Sequence, residues 1–281
     1  MKTIKSEILI LGGDSRLGQS IKLNFKKNNI HCISTTKNKK KITKTNIFFD
    51  LNNYQDFEVP KNIKVVYFCA SITSIDFCEK EKKLSNDINV DKTCKLINIF
   101  LRLKIHVIYF STNLIFNGHN NPFSHLSKFS PQNEYALQKT RVENYLNNQK
   151  YKTYSIIRFG KIIFKDDNLL LNWIKNIKKN LKFCVARNKF ISPIYYSHAI
   201  DIIKKITLNH EYGTYQISAI DSISYLEIAK FFLKVLKKND LIELIKLKKT
   251  NNPILISNIK GFKFINSKEV IKKFLSENGI V

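Results

Sequence analysis

In the first 160 residues, short apolar runs alternate with segments of helical spacing. Glu7–Leu11 is an apolar run that ends at Gly12 and Gly13, and it predicts a strand. Leu17–Lys27 spaces Leu17, Ile21, Leu23 and Phe25 among polar residues, as an amphipathic helix does. Ile30–Thr35 and Val65–Cys69 predict two more strands. Val90–Leu103 predicts a helix with Leu96, Ile97 and Phe100 inward. His106–Phe110 then reads as a strand, Tyr135–Leu146 as a helix and Tyr154–Arg158 as a strand. Strands separated by helices require crossover connections, which are right-handed and build a parallel sheet covered on both faces. The expected class is therefore α/β with a doubly wound parallel sheet. Two stretches break the rhythm. Lys37–Thr45 is charged and Asn-rich, and Asn117–Asn133 carries Gly118, Pro122 and Pro131. A loop of the second length inside a compact domain is often functional.

A chain of 281 residues can bury the core of one large domain or of two joined ones. Hydrophobic residues at 43% exclude global disorder. No apolar run approaches the roughly 20 residues of a membrane helix. The start, Met1–Lys5, is wrongly flanked for a signal peptide, so the expectation is a soluble cytoplasmic protein with no membrane partner. The net charge of +26 raises nucleic acid as a partner. Against it, only Arg16, Arg102, Arg141, Arg158 and Arg187 are arginine among 48 basic residues. Arginine is the favoured residue for bidentate base and phosphate recognition. The lysines are spread along the whole chain, so they read as a solvated surface without specific nucleic-acid recognition. Cys32, Cys69, Cys78, Cys94 and Cys184 form no C-x-x-C and read as reduced core residues. The histidines have no ligand spacing, so no metal site is expected.

The residues Gly12-Gly13-Asp14-Ser15-Arg16-Leu17-Gly18 join the first strand to the first helix. In a dinucleotide turn, the first Gly permits the bend, the middle one admits the pyrophosphate and the last lets helix and strand pack. Gly12 and Gly18 fit the spacing, and Ser15 stands at the middle position. Its Cβ narrows the approach, while its hydroxyl offers a phosphate contact. Gly12, Ser15, Arg16, Leu17 and Gly18 are thus candidate cofactor contacts beside a helix N-terminus. The acidic residue that would hold a ribose 2′-hydroxyl is missing after the second strand, where the chain reads Ser34-Thr35-Thr36-Lys37. Hydroxyls and a cation suit a 2′-phosphate, which favours NADP(H) over NAD(H), unless Lys37 is one more surface lysine. Asp50 is a candidate for the adenine side or for a helix cap.

Tyr135 and Lys139 are spaced i, i+4 on one helix face. An ammonium beside a phenol favours the phenolate and lowers the Tyr pKa, making Tyr135 a usable acid or base. About 23 residues upstream, Thr112 follows the His106–Phe110 strand. A hydroxyl there faces the crevice in which parallel sheets bind ligands.

This ordered set resembles the extended short-chain dehydrogenase/reductases, and within them the dTDP-4-dehydrorhamnose reductase branch. The resemblance runs nearly the whole chain. Cys69-Ala70-Ser71 resembles the segment lining the nicotinamide side, and Asn89-Val90 an Asn-Val pair on the next helix. Ser111–Gly118 resembles S-T-D-Y-V-F-x-G, with Asn113 for Asp and Leu114 for Tyr. Pro131–Lys139 resembles P-x-N-x-Y-G-x-x-K, and Phe190–Pro193 resembles F-G-S-P with Ile191 for Gly. The resemblance implies a Rossmann-like domain over 1–160 and a smaller substrate-binding α/β lobe over 161–281, partly interleaved. It implies hydride transfer from NADPH to the 4-keto group of a nucleotide-activated deoxysugar, a polysaccharide precursor. Tyr135 would protonate the oxygen, Lys139 would hold the nicotinamide ribose and Thr112 would polarise the carbonyl. Cys69, Ala70 and Ser71 would line the cofactor. Asn113 on the sugar side, with Asn168, Trp173 and Arg187 in the second lobe, are substrate candidates. Trp173 is equally a core residue and Arg187 equally an ordinary surface one. Two alternatives stay open: an NAD-retaining nucleotide-sugar epimerase and a non-catalytic NADP-binding regulatory protein. The oligomeric state is left open, with a homodimer as the candidate.

Overall fold

A computed structural model describes residues 7–118, 122–247, 253–259 and 261–281; the Met1–Lys5 start and three positions of the Asn117–Asn133 loop lie outside the described residues. The chain runs β1 (Ile8–Leu11), α1 (Arg16–Lys27), β2 (Ile33–Thr36), β3 (Asn46–Phe48), β4 (Val65–Phe68), α2 (Ile75–Lys80), α3 (Lys82–Asn86), α4 (Thr93–Arg102), β5 (His106–Thr112), α5 (Glu134–Asn147) and β6 (Tyr154–Phe159). It continues through β7 (Lys161–Ile163), α6 (Asn168–Lys178), β8 (Phe183–Ala186), β9 (Phe190–Ile191), β10 (Pro193–Tyr195), α7 (Tyr196–Leu208), β11 (Gly213–Ile217), β12 (Ile223–Ser224), α8 (Tyr225–Val235), β13 (Ile242–Ile245) and α9 (Ser267–Glu277).

Two compact units emerge. The first takes residues 1–115, 131–158 and 200–215; the second takes 116–130, 159–199 and 216–281. A seven-stranded sheet organises the first in the order β3-β2-β1-β4-β5-β6-β11. The pairs from β3 across to β5 are parallel. This is a Rossmann-like, doubly wound α/β sheet. The strand order reverses at β1, between β2 and β4, and ligands bind such sheets outside the carboxyl ends at that point. All of β4 and all of β6 are buried, as strands covered on both faces are. Leu9, Val66, Phe68 and Val107 of the sheet pack with Leu96, Ile97 and Phe100 of α4 and Val142 and Leu146 of α5. Truncating a leucine such as Leu96 to alanine costs about 2–5 kcal/mol.

Three local expectations change. Leu23 is exposed, because Ile21 and Phe25, four apart, set the inner face of α1 and Leu23 projects away from it. The segment preceding α4 is a π-helical turn, Asp87–Lys92, whose buried residue is Asn89. Cys184 is exposed on β8, not a core residue. The short strand β3 follows the Lys37–Thr45 stretch and was not evident in the apolar pattern. It is secured by Asn46, whose buried side chain accepts from Ser34 Oγ at 2.6 Å.

The second unit has its own core, built from Trp173 and Ile177 of α6, Phe183 and Val185 of β8, Phe232 of α8 and Phe274 of α9. Its strands pair in twos: β7 with β10, β9 with β12 and β8 with β13. Helices α8 and α9 both open with a capping box, Ser224 with Glu227 and Asn266 with Glu269. Each box satisfies two backbone donors that the first turn would otherwise leave unbonded.

Candidate active site

The turn after β1 is shaped by close approach. Gly12 adopts φ +83°, and a Cβ on it would lie 2.6 Å from the Ala70 backbone nitrogen. The chain leaving β4 therefore lies directly against this turn. A Cβ on Gly18 would lie 2.5 Å from the Gly12 carbonyl, so helix and strand close only around a glycine there. Ser15 is the N-cap of α1. Its Oγ accepts from Gly18 N at 3.0 Å and donates to Gly12 O at 2.8 Å. The hydroxyl is thus committed to the turn, and the residue that replaces the usual glycine stabilises the loop itself. Arg16 is exposed at the first position of α1 and Leu17 is half-buried behind it.

A cavity of about 350 Å³ opens beside this turn. Gly12, Ser15, Thr36, Lys37, Asp50 and the Cys69–Ser71 segment are among its lining residues. Gly12 N donates to Thr35 Oγ1 at 2.8 Å, tying β2 to the turn. Lys37 reaches Asp50 at 2.9 Å. Asp50 also caps the following turn, its Oδ1 accepting from Asn52 N at 2.9 Å. Burial works to raise the Asp50 pKa, but the Lys37 and Asn52 contacts outweigh it and hold the carboxyl below its usual range. Lys37 is more than half exposed, so this pair is soft. Burial pushes the Cys69 thiol well up, which keeps it a neutral thiol in the cavity wall. Ser71 Oγ donates to Asn89 Oδ1 at 3.0 Å.

Helix α5 carries the other half of the site. Asn133 caps it, accepting from Ala136 N at 2.9 Å, so Tyr135 stands in its first turn. Lys139 is buried one turn on and donates to the Phe110 carbonyl at 2.9 Å. That carbonyl lies two residues before Thr112, which ends β5. The contact therefore docks the Tyr135–Lys139 face on the carboxyl end of the strand that bears Thr112. Thr112 Oγ1 accepts from Leu114 N at 3.2 Å, and Asn113 begins the 3₁₀ turn that follows. Lys139 Nζ lies 5.8 Å from the centre of the Tyr135 ring. Burial lowers the Lys139 pKa to about 8, against the raising effect of Glu143. Burial also raises the Tyr135 pKa. The expected lowering of the phenol by the ammonium is thus reversed in this arrangement. The cation is aimed at a carbonyl, and desolvation dominates. Tyr135 is therefore a protonated phenol at neutral pH.

Two groups of residues behind this face were not recognised as chemistry from the sequence. Glu143, one turn beyond Lys139, forms a buried pair with Arg158 at 2.6 Å and accepts from Ser111 Oγ. Its spacing, i+4 from Lys139, was the available signal. Gln138 accepts from Asn89 Nδ2 at 2.8 Å and donates to Ser85 Oγ at 2.8 Å. Asn89 also bonds both backbone groups of Ile72. The π turn thereby locks the segment after β4 to α5. No local pattern announces such a link.

The second-unit candidates are placed separately. Asn168 is exposed at the first position of α6, behind the Asp167 cap. Arg187 is exposed at the end of β8, its N–H donating to the Ile245 carbonyl at 3.0 Å. Trp173 is only 3% exposed and packs edge-on to Tyr225, 5.6 Å between ring centres. Its indole is committed to the core, so of the two readings given above for Trp173, substrate contact and core residue, the structure corrects the first to packing. Among the described residues no group of His, Cys, Asp or Glu is arranged to hold a metal ion. Nor is any helix among them long and apolar enough to cross a membrane.

The model of the RmlD substrate binding domain family matches residues 6–255, most of the chain. The chain belongs to that family. Similar solved structures include a dTDP-4-dehydrorhamnose reductase from Clostridium acetobutylicum, 20% identical, with a TM-score of 0.82 over 97% of this chain and 99% of that one. A dTDP-4-dehydrorhamnose reductase from Bacillus anthracis, solved in complex with NADP, is 21% identical, with a TM-score of 0.82 over 99% of this chain and all of that one. Among curated proteins, methionine adenosyltransferase 2 subunit beta of Bos taurus is 25% identical over 138 residues. That match spans 48% of this chain and 40% of the relative, less than half the relative's length. At these identities the structural likeness speaks for the fold.

Proposed function

We propose that this family member is an NADPH-dependent oxidoreductase that reduces the 4-keto group of a nucleotide-activated deoxysugar. The observation that carries the reading is the anchoring of Lys139, one turn from Tyr135, on the Phe110 carbonyl, two residues before Thr112 on β5. The glycine turn supports it. The Gly12 and Gly18 positions leave no room for a side chain, and the turn opens on a cavity that suits the nucleoside end of a dinucleotide. Gly12, Lys37, Asp50, Ala70 and Ser71 would hold that end, with the α1 N-terminus facing the phosphates. Two similar proteins are named as reductases of this type, one of them with NADP.

Bound NADPH supplies the hydride. Tyr135, held as the neutral phenol, gives its proton to the substrate oxygen. The Thr112 hydroxyl donates to the same oxygen and stabilises the charge that develops there. Lys139, still largely protonated at neutral pH, holds the ribose near the phenol and helps restore its proton. Atoms balance: a carbonyl, a hydride and the Tyr135 proton become an alcohol. Asn113, Asn168 and Arg187 are the proposed contacts to sugar and nucleotide. The same reading fits a soluble cytoplasmic enzyme, with a homodimer as the candidate assembly.

The test is NADPH titration followed by turnover of a 4-keto nucleotide-sugar. Tyr135→Phe is expected to lower turnover by roughly 10²–10⁴ while leaving NADPH binding unchanged. A second reading, a non-catalytic NADP-binding subunit, is favoured by the match to a protein named as a subunit. NADPH binding without turnover, and a Tyr135→Phe variant that behaves as wild type, would decide for it. Copurified NAD with no net change in reduced nicotinamide would instead point to an epimerase.

A further inference from the structure

The rim of the cavity beside the end of β2 holds a carboxylate where the sequence suggested only hydroxyls and cations. Thr36, the last residue of β2, donates its hydroxyl to Asp14 Oδ2 at 2.5 Å. Lys41 Nζ lies 3.6 Å from Asp14 Oδ1. Asp14 and Thr36 both line the cavity. In a doubly wound sheet, the end of the second strand is where the ribose 2′ position is read. Thr36 and Lys41 are a hydroxyl donor and a cation, the pair a 2′-phosphate would use. Asp14 already sits on both.

We infer that Asp14 acts as an internal stand-in for the 2′-phosphate and sets the balance between NADPH and NADH. The inference rests on the coenzyme reading above. A 2′-phosphate must take Thr36 and Lys41 from Asp14 and lie beside its negative charge. A 2′-hydroxyl carries no charge to be repelled, and it can donate a hydrogen bond to the carboxylate. The wild-type protein therefore prefers NADPH by less than its lysine-rich loop, with Lys37, Lys39, Lys40 and Lys41 all exposed, would allow. Lys37 is restrained in the same way by Asp50 on the other side of the rim.

Equilibrium binding tests this directly. Fluorescence titration gives the Kd for NADPH and for NADH in wild type and Asp14→Asn. Competition with 2′,5′-ADP and 5′-ADP repeats the measurement without the nicotinamide half. Asp14→Asn is expected to tighten NADPH and 2′,5′-ADP by about fivefold to tenfold, the order expected when one of two charges a few ångströms apart is removed at a rim open to water and screened by it. NADH and 5′-ADP are expected not to tighten, and to weaken by up to about a few-fold as the hydrogen bond from the 2′-hydroxyl to a carboxylate becomes one to a neutral amide. Lys41→Ala is expected to weaken NADPH and leave NADH alone. Asp14→Ser repeats the test should the amide disturb the turn. An unchanged NADPH-to-NADH ratio in proteins that bind both coenzymes overturns the role of Asp14 and leaves the reductase reading standing. An equal gain for both coenzymes overturns it too. Failure to bind either coenzyme overturns both.

Discussion

Two charged clusters in the first unit use the same residue types for opposite purposes. Behind α5, Glu143 and Arg158 are almost wholly buried and joined at 2.6 Å, with Ser111 on the same carboxylate and Lys139 one turn away. At the cavity rim, Lys37 and Asp50 meet at 2.9 Å and Lys41 and Asp14 at 3.6 Å, with both lysines more than half exposed. The buried pair cannot be traded for water, so it holds the backbone of β5, α5 and β6 in one arrangement. The rim pairs are screened and exchange easily, so they tune affinity for an anion without holding the fold. Distance alone does not separate the two clusters; access to water does.

The largest effect should come from breaking the buried pair. Glu143→Ala leaves Arg158 charged and uncompensated, and should cost about 3–5 kcal/mol of stability by denaturant unfolding. The double replacement Glu143→Leu with Arg158→Met should recover most of that loss. If the single variant is as stable as wild type, the buried cluster is no stiffer than the rim, and the contrast fails.

Acid should produce the next effect, at the opposite end of β5. Ser155 gives its proton to the Glu211 carbonyl at 2.5 Å, so His106 Nε2 carries the hydrogen in its 2.7 Å contact with Ser155. His106 Nδ1 is then a buried atom without a partner. Burial, with His210 nearby, lowers the His106 pKa to about 4. Unfolded histidine titrates near 6.5, so below that pH the unfolded chain binds more protons. Stability should be full above about pH 6.5 and fall as pH drops towards 4, by up to about 3 kcal/mol. His106→Asn should flatten this step in a series of melts across pH. A melting temperature independent of pH in the wild type would show that this face takes up water after all.

The smallest effect should come from the rim. Lys37→Ala should change stability by less than about 1 kcal/mol. It should still weaken NADPH by about a few-fold in titration, the order expected of one exposed, water-screened cation beside a phosphate. A large loss of stability would mean that Lys37 and Asp50 hold the β2 end as Glu143 holds α5.

Much of this site was legible along the chain. The alternation of apolar runs predicted β1, β2, β4, β5 and β6 near their observed bounds, because strands covered on both faces must be apolar throughout. The glycine spacing located the turn after β1, and the Tyr135–Lys139 spacing located one face of α5. Other features were not legible. Asn46 secures a strand that has too few apolar residues to show a period. Ser15 turned its hydroxyl into the loop it was expected to offer to a ligand. Trp173 went to the core. Asp14 sits 22 residues before the hydroxyl it engages. Such partners meet only when β1 and β2 lie side by side.

The sequence by itself therefore determined the elements, the doubly wound sheet and the residue types of the site, since each follows from local spacing and from burial. Only the tertiary structure decided how the charges divide. Which carboxylate meets which cation, and whether water reaches the pair, depends on residues brought together from distant parts of the chain. It was the packing of α5 on β5 that buried Lys139 and raised the Tyr135 pKa, reversing what the i, i+4 spacing alone predicts. Desolvation is a property of the assembled surroundings, and no stretch of sequence carries it.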